Sequence, residues 1–148
     1  MTEGRKGRPI EILLIEDNPD DVRLTREALK EANVRNTIHV VSDGIKALAF
    51  LQHQGKYAQV PTPDLILLDL NLPKKDGRQV LAEIKDIPGL ASIPVAVMTT
   101  SQDEEDVLRA QNLNAHCYIT KPIDYDQFIN MVRSLKSFWL TIVEPPLD

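Results

Sequence analysis

Along this chain, short apolar runs alternate with longer stretches in which apolar residues recur at helical spacing. The most compact run covers residues 65–68, which read Leu-Ile-Leu-Leu between Pro63 and a polar loop. A continuous apolar run of this kind is typical of a strand buried on both faces, as in the middle of a parallel sheet. Such a strand would carry one carboxylate, Asp69, at its C-terminal end, where this residue could also act simply as a turn or helix-capping residue.

Four other apolar runs predict strands, so that the full set is expected at residues 10–15, 37–41, 65–68, 93–98 and 116–119. Helices are expected from Pro19 to about Ala32, after Gly44, from near Gly77, from Ser101 and from Asp124. Asn18 can cap the first helix, and Ser101 with Glu104 has the spacing of a capping box. Strands that alternate with helices predict an α/β fold with a doubly wound, five-stranded parallel sheet, right-handed crossovers and the strand order 2-1-3-4-5.

Apolar residues inside two of these helices have the spacing that a sheet-facing surface requires. In the second helix these residues are Ile45, Leu48 and Ala49. In the third helix they are Val80, Leu81 and Ile84, after which Pro88 and Gly89 are expected to end the helix.

The length and composition of the chain exclude several classes of protein. A chain of 148 residues predicts one domain, which we place at residues 10–140 between an N-terminal tail (1–9) and a C-terminal tail (141–148). The net charge of −5 argues against nucleic acid as a partner, since binding to phosphate backbones requires a basic face. The first apolar run is short and contains Glu11, so we expect no membrane span, and the single cysteine, Cys117, agrees with a cytoplasmic protein.

The predicted strand order places the first and third strands side by side, at the point where sheets of this type bind their ligands. The first strand ends at Glu16 and Asp17, and the third ends at Asp69. The fourth and fifth strands end at Thr99 and Lys121. These five side chains are therefore expected to meet in one crevice at the carboxyl edge of the sheet.

Three carboxylates in one crevice repel one another, and a divalent cation would relieve that repulsion. Hard oxygen ligands suit Mg²⁺, which keeps several waters and takes only one or two carboxylates. We therefore predict that Asp17, Asp69 and the backbone carbonyl of Asn71 bind Mg²⁺, with Glu16 acting through metal-bound water.

The same crevice suits phosphoryl chemistry. Asp69 could act as a nucleophile and form an aspartyl phosphate, while Lys121 pairs with the phosphate as a point charge and Thr99 donates its hydroxyl. Lys121 precedes Pro122, and a cis bond between them would aim the lysine. Each residue also has an ordinary structural explanation as a cap, a strand terminator or a solvated lysine. The agreement of all these positions on one crevice favours the functional interpretation.

This set of residues resembles the receiver domain of two-component response regulators over residues 10 to about 137. The motifs that carry the resemblance are Glu16-Asp17, Asp69 with Pro73 and Gly77, Thr99, and Lys121-Pro122. The resemblance implies a flavodoxin-like receiver fold and a signalling protein rather than an enzyme, with Asp69 as phosphoacceptor and Glu16 completing an acidic pocket that binds Mg²⁺. It also implies that Thr99 and Tyr118 form a switch pair, in which the threonine moves toward the phosphate and the aromatic ring turns inward.

A finer resemblance links the chain to the small regulators that partner phytochrome histidine kinases. It rests on the segment 70–78, which reads Leu-Asn-Leu-Pro-Lys-Lys-Asp-Gly-Arg, on Met-Thr-Thr-Ser at 98–101, and on Phe138-Trp139-Leu140. This resemblance implies that a light-sensing histidine kinase, a phytochrome, supplies the phosphoryl group.

Other functions are compatible with parts of the pattern. A Mg²⁺-dependent aspartyl-phosphate phosphatase or mutase typically needs a second carboxylate two residues after the nucleophile, and here that residue is Asn71. A flavodoxin-like cofactor site would have to place phosphate against the acidic segment 17–21. A receiver-like adaptor that is never phosphorylated would not need the full acceptor set that this chain carries.

The last apolar residues of the chain predict a homodimer. Phe128, Val132, Leu135 and Trp139 form one stripe at helical spacing that the domain core can use. Five further apolar or aromatic positions are candidates for the dimer contact: Phe138, Trp139, Leu140, Ile142 and Val143. A two-fold interface is the commonest way to bury such a patch, although the tail could instead fold back on its own domain.

Overall fold

The computed structural model describes residues 9–31, 35–72, 74–100, 102–113, 115–121 and 124–131. Within these ranges, five strands form one parallel sheet: β1 (Ile10–Ile15), β2 (Asn36–Val41), β3 (Leu65–Asp69), β4 (Val95–Thr99) and β5 (Cys117–Thr120). The strand order is β2-β1-β3-β4-β5. The predicted α/β class, parallel pairing and strand order are therefore confirmed.

Helices connect the strands, as the alternating pattern predicts. They are α1 (Pro19–Glu31), α2 (Gly44–Leu51), a 3₁₀ turn (Gly55–Tyr57), α3 (Gly77–Asp86), α4 (Gln102–Ala110) and α5, whose described part covers residues 125–131. The side chain of Asn18 accepts from two backbone N–H groups at the start of α1, at 2.8 and 3.2 Å. Asp124 caps α5 by accepting from the Gln127 N–H at 3.1 Å. The predicted cap at Asn18 and the predicted helix start at Asp124 are confirmed. Unpaired N–H groups at helix starts need such acceptors.

The sheet is covered on both faces, which explains why its central strands are continuously apolar. In β3, Leu65 and Leu67 pack toward α1 and α5, whereas Ile66 and Leu68 pack toward α2, α3 and α4. All four side chains are fully buried. The run that predicts a central strand thus supplies apolar side chains to two cores at once.

The structure differs from the sequence-based prediction at the start of β4 and on the inner face of α2. β4 begins at Val95 rather than at residue 93, since Pro94 has no N–H to donate to the sheet. In α2, Ile45 is 56% exposed, although its spacing with Leu48 predicts a shared face. Gly44 of α2 faces inward, so close to its neighbours that an added Cβ would lie 2.5 Å from the Lys75 carbonyl oxygen. Because Gly44 faces inward, the next residue, Ile45, faces solvent.

Gly77, the first residue of α3, packs against the backbone at the end of β3. A Cβ on Gly77 would lie 2.6 Å from the Leu70 Cα and 2.7 Å from the Asp69 carbonyl oxygen. Both neighbours are backbone atoms, so the loop itself would have to move. We expect Gly77→Ala to lower the free energy of unfolding by about 1–3 kcal/mol, the range for overpacking. Chemical denaturation should show this, and an unchanged midpoint would contradict it. The exposed α3 residue Gln79 offers the control Gln79→Ala.

Candidate functional site

Three carboxylates lie together at the carboxyl edge of the sheet. Parallel pairing puts Ile15 of β1 beside Leu68 of β3, so the residues that follow, Glu16 and Asp69, are neighbours. One carboxylate oxygen from each of Glu16, Asp17 and Asp69 lies within 4.8 Å of the others. Glu16 and Asp69 are only 1% and 2% exposed, whereas Asp17 is exposed. The predicted acidic group thus has two buried members and one that faces solvent.

The Lys121 ammonium contacts this group. Its Nζ lies 3.0 Å from Glu16 Oε1, 3.1 Å from Asp69 Oδ2 and 2.9 Å from Asp21 Oδ2. The Lys121 N–H donates to the Thr99 carbonyl at 2.8 Å, which fixes the backbone that carries the lysine. Burial alone would lower the pKa of Lys121, but its bonds to Asp21 and Glu16 and the charge of Asp69 outweigh burial and raise that pKa.

Asp21 is a member of the site that sequence reasoning missed. It lies in the first turn of α1, where an acid is expected simply because it complements the positive end of the helix dipole. The spacing from Asp17 to Asp21 within one acidic segment was the available signal. Only the contact with Lys121 shows that Asp21 belongs to the charge network of the crevice.

The surroundings of Glu16 disfavour its charged form. Its burial, and next the charge of Asp69, raise the pKa of Glu16 to about 7, although the hydrogen bond from Lys121 lowers it. The Asn18 N–H donates to Oε2 at 3.3 Å. Among the described residues, Oε1 lies near Lys121 but makes no well-aligned hydrogen bond. A buried carboxylate oxygen of this kind is suited to a water molecule held by a cation.

The donor set of the crevice fits a divalent cation. Within the part of the chain that the structure describes, this acidic cluster is the one group of at least three possible metal ligands that lie close enough to share an ion. All three ligands are hard carboxylate oxygens, as Mg²⁺, Mn²⁺ and Ca²⁺ prefer. The Asn71 N–H donates to Asp69 Oδ1 at 3.0 Å, so the backbone of Asn71 turns beside the same carboxylate.

Thr99 and Tyr118 occupy different parts of this end of the sheet. Thr99 ends β4 and is only 4% exposed, and its hydroxyl donates to the carboxylate of Glu104 in α4. Tyr118 lies in β5 and is partly buried on the core face shared with α4. Its hydroxyl accepts from the Ala115 N–H at 3.2 Å, and the Arg109 guanidinium lies 4.7 Å from its ring centre. Both side chains therefore contact residues of, or next to, α4.

Several sequence-based predictions lie outside the described residues. These are the contributions of Pro73 and Pro122, the capping role of Ser101, and the dimer contact of Phe138, Trp139, Leu140, Ile142 and Val143. In the described ranges, no helix is long and apolar enough to cross a membrane.

Comparison with known proteins agrees with this geometry. Residues 12–133 match the family model of the response regulator receiver domain. Response regulator Rcp1 of Synechocystis sp. is 50% identical over 138 residues, which cover 93% of this chain and 94% of Rcp1. The crystal structure of the phosphorylated cyanobacterial phytochrome response regulator RcpA is 47% identical with a TM-score of 0.76, over 94% of this chain and 100% of that chain.

Rcp1 also has a solved structure that contains a metal. The Mn²⁺-bound form of Rcp1 is 50% identical with a TM-score of 0.75, over 94% of this chain and 100% of that chain. The match supports a divalent cation site in the acidic cluster described above. The resemblance to receiver domains, and to regulators linked with phytochromes, is thereby confirmed.

Proposed function

We propose, from the premise that this chain belongs to the response regulator receiver domain family, that it accepts a phosphoryl group on Asp69 from a phosphohistidine of a sensor kinase. The P–N bond of the phosphohistidine breaks as a P–O bond to an Asp69 carboxylate oxygen forms, and the kinase histidine is released. The observation that carries the proposal is the position of Asp69. It is a buried carboxylate at the end of a central strand, beside two acids and 3.1 Å from Lys121.

The neighbouring side chains support this role. One Asp69 oxygen, Oδ1, already accepts the Asn71 N–H, while Oδ2 faces the Lys121 ammonium. Three carboxylates hold the Lys121 ammonium beside Asp69. After transfer, the phosphoryl group would add negative charge next to this ammonium. Thr99, at the end of the adjacent strand, supplies a hydroxyl donor to the same group.

The cation that we propose is Mg²⁺, held by Asp17, Asp69 and the Asn71 carbonyl, with Glu16 acting through water. When bound, the cation supplies positive charge that offsets the charge on the incoming phosphoryl group. Asp17 is exposed and Asp69 is buried. One proposed ligand therefore lies at the solvent side of the crevice and the other in its interior. The Mn²⁺-bound structure of Rcp1 supports a cation of this class.

The kinase that we propose as phosphodonor is a phytochrome, because a relative with 47% identity is a cyanobacterial phytochrome response regulator. Such an exchange would take place in the cytoplasm. A phosphatase or mutase function is less well supported, since Asn71 stands where such enzymes typically carry a second carboxylate for proton transfer.

Intact-mass measurement after incubation with Mg²⁺ and a small phosphodonor tests the acceptor role directly. We expect one added phosphoryl group per chain, which chelation of the cation should prevent. Transfer profiles against purified kinases of the source organism then test the partner. Failure to gain phosphoryl mass from either the small donor or a kinase would overturn the proposal.

We also propose that the chain forms a homodimer through the segment 138–143. The support is the sequence itself, since this segment is rich in apolar and aromatic residues of the types that anchor interfaces. Truncation after Lys136 should therefore give a monomer that still accepts a phosphoryl group. Equilibrium sedimentation at tens of micromolar, with and without phosphorylation, measures the difference. A full-length chain that sediments only as a monomer in both states would refute the dimer.

A further inference from the structure

We propose that helix α4 holds both members of the switch pair in their unphosphorylated positions, through a latch formed by Glu104, Glu105 and Arg109. This inference rests on the proposed function and adds a regulatory element to the same site. In the latch, Glu104 binds the Thr99 hydroxyl and Arg109 covers the Tyr118 ring. Phosphorylation of Asp69 would then have to compete with α4 for Thr99.

The contact of Thr99 with Glu104 is the stronger part of the latch. A hydroxyl has one hydrogen, so Thr99 cannot donate fully both to Glu104 and to a phosphoryl group on Asp69. The bond is charge-assisted and Thr99 is only 4% exposed, and these two conditions strengthen a hydrogen bond. Every phosphorylated molecule in which Thr99 turns to the phosphoryl group must therefore give up this bond to α4.

The contact of Arg109 with Tyr118 is the weaker part. The Arg109 guanidinium lies 4.7 Å from the ring centre and 3.0 Å from Glu105 Oε1. However, the Arg109 side chain is 56% exposed, and solvent-exposed cation–π and ion pairs contribute little. The Ala115 N–H adds a hydrogen bond to the Tyr118 hydroxyl at 3.2 Å. We therefore expect Glu104 to dominate the effect of the latch and Arg109 to modulate it.

The two contacts have a shared consequence because they belong to one helix. Glu104 lies near the start of α4 and Arg109 near its end, so the helix is tied to Thr99 at one end and to Tyr118 at the other. Loss of the Thr99 tie removes the stronger restraint on α4. A ligand can shift such an equilibrium only by its differential contacts with the two states, and Glu104 provides a contact that only the unphosphorylated state keeps.

Beryllofluoride with Mg²⁺ serves as the probe, since it imitates a phosphoryl group on a carboxylate without turnover. We expect Glu104→Ala to bind the probe about tenfold more tightly than the natural chain, because the competing charge-assisted bond is absent. Glu104→Gln should have a smaller effect, since its amide oxygen still accepts a hydrogen bond but carries no charge. Asp106→Asn removes the same charge from an exposed position of α4, where the side chain accepts from Gln102, and it should leave the affinity unchanged.

A Thr99→Ala background distinguishes competition from a general effect on the helix. The gain from Glu104→Ala should disappear there, because the hydroxyl for which the two acceptors compete is gone. Equal affinity of the natural chain, Glu104→Gln and Glu104→Ala for the probe would overturn the latch, as would a full gain in the Thr99→Ala background. If the natural chain bound no probe and took up no phosphoryl group, the proposed function itself would fail, which is a different outcome.

Discussion

Asp69→Asn should abolish the gain of phosphoryl mass when the chain is incubated with Mg²⁺ and a small phosphodonor. The substitution keeps the size of the side chain but replaces the nucleophilic carboxylate by an amide, which forms no acyl phosphate under these conditions. The Asp69 carboxylate has one oxygen fixed by the Asn71 N–H and the other beside the Lys121 ammonium. We expect no neighbouring acid to replace it.

Intact-mass spectrometry gives the stoichiometry, and a matched substitution controls for the loss of one negative charge. Asp86→Asn serves as that control, because Asp86 is an exposed residue at the end of α3, away from the acidic cluster. It should label as fully as the natural chain. Undiminished labelling of Asp69→Asn would show that another residue accepts the phosphoryl group.

Asp17→Asn should weaken Mg²⁺ binding on the order of tenfold or more. Removing even a partner that only orients a metal ligand commonly lowers affinity 10- to 100-fold, and we propose Asp17 as a direct ligand. Mg²⁺ also dehydrates reluctantly and uses only one or two carboxylates, so the loss of one leaves too few. The substitution at the same time relieves repulsion within the cluster and should leave the cation-free chain at least as stable.

Thermal unfolding with and without Mg²⁺ measures this effect without reference to phosphorylation. A ligand that binds only the folded chain raises its stability by about 2.7 kcal/mol at one hundred times its dissociation constant. The natural chain should gain stability with added Mg²⁺, and Asp17→Asn should lose most of that gain. Asp20→Asn is the control, because Asp20 lies in the same acidic segment but outside the cluster. Equal gains in all three chains would refute the role of Asp17.

Local sequence pattern was sufficient to predict the elements and the sheet. The apolar run at 65–68 is typical of a doubly covered strand, and Asn18 and Asp124 marked where helices begin. These features depend on residues that are close in sequence, so short-range chemistry determines them. Once the parallel order is known, the gathering of Glu16, Asp69 and Thr99 at one edge follows from the direction of the strands.

Tertiary structure alone decided which further side chains join the site and which contacts they make. Strand order predicts that Lys121 and Glu16 meet although they are 105 positions apart, but only the folded chain shows that Asp21 shares the lysine with Glu16. The outward turn of Ile45 follows from the packing of Gly44 against the loop before α3. Only the folded chain shows that the Glu104 carboxylate accepts the Thr99 hydroxyl. In each case the deciding contact joins separate elements, and its geometry is set only when the two cores are packed.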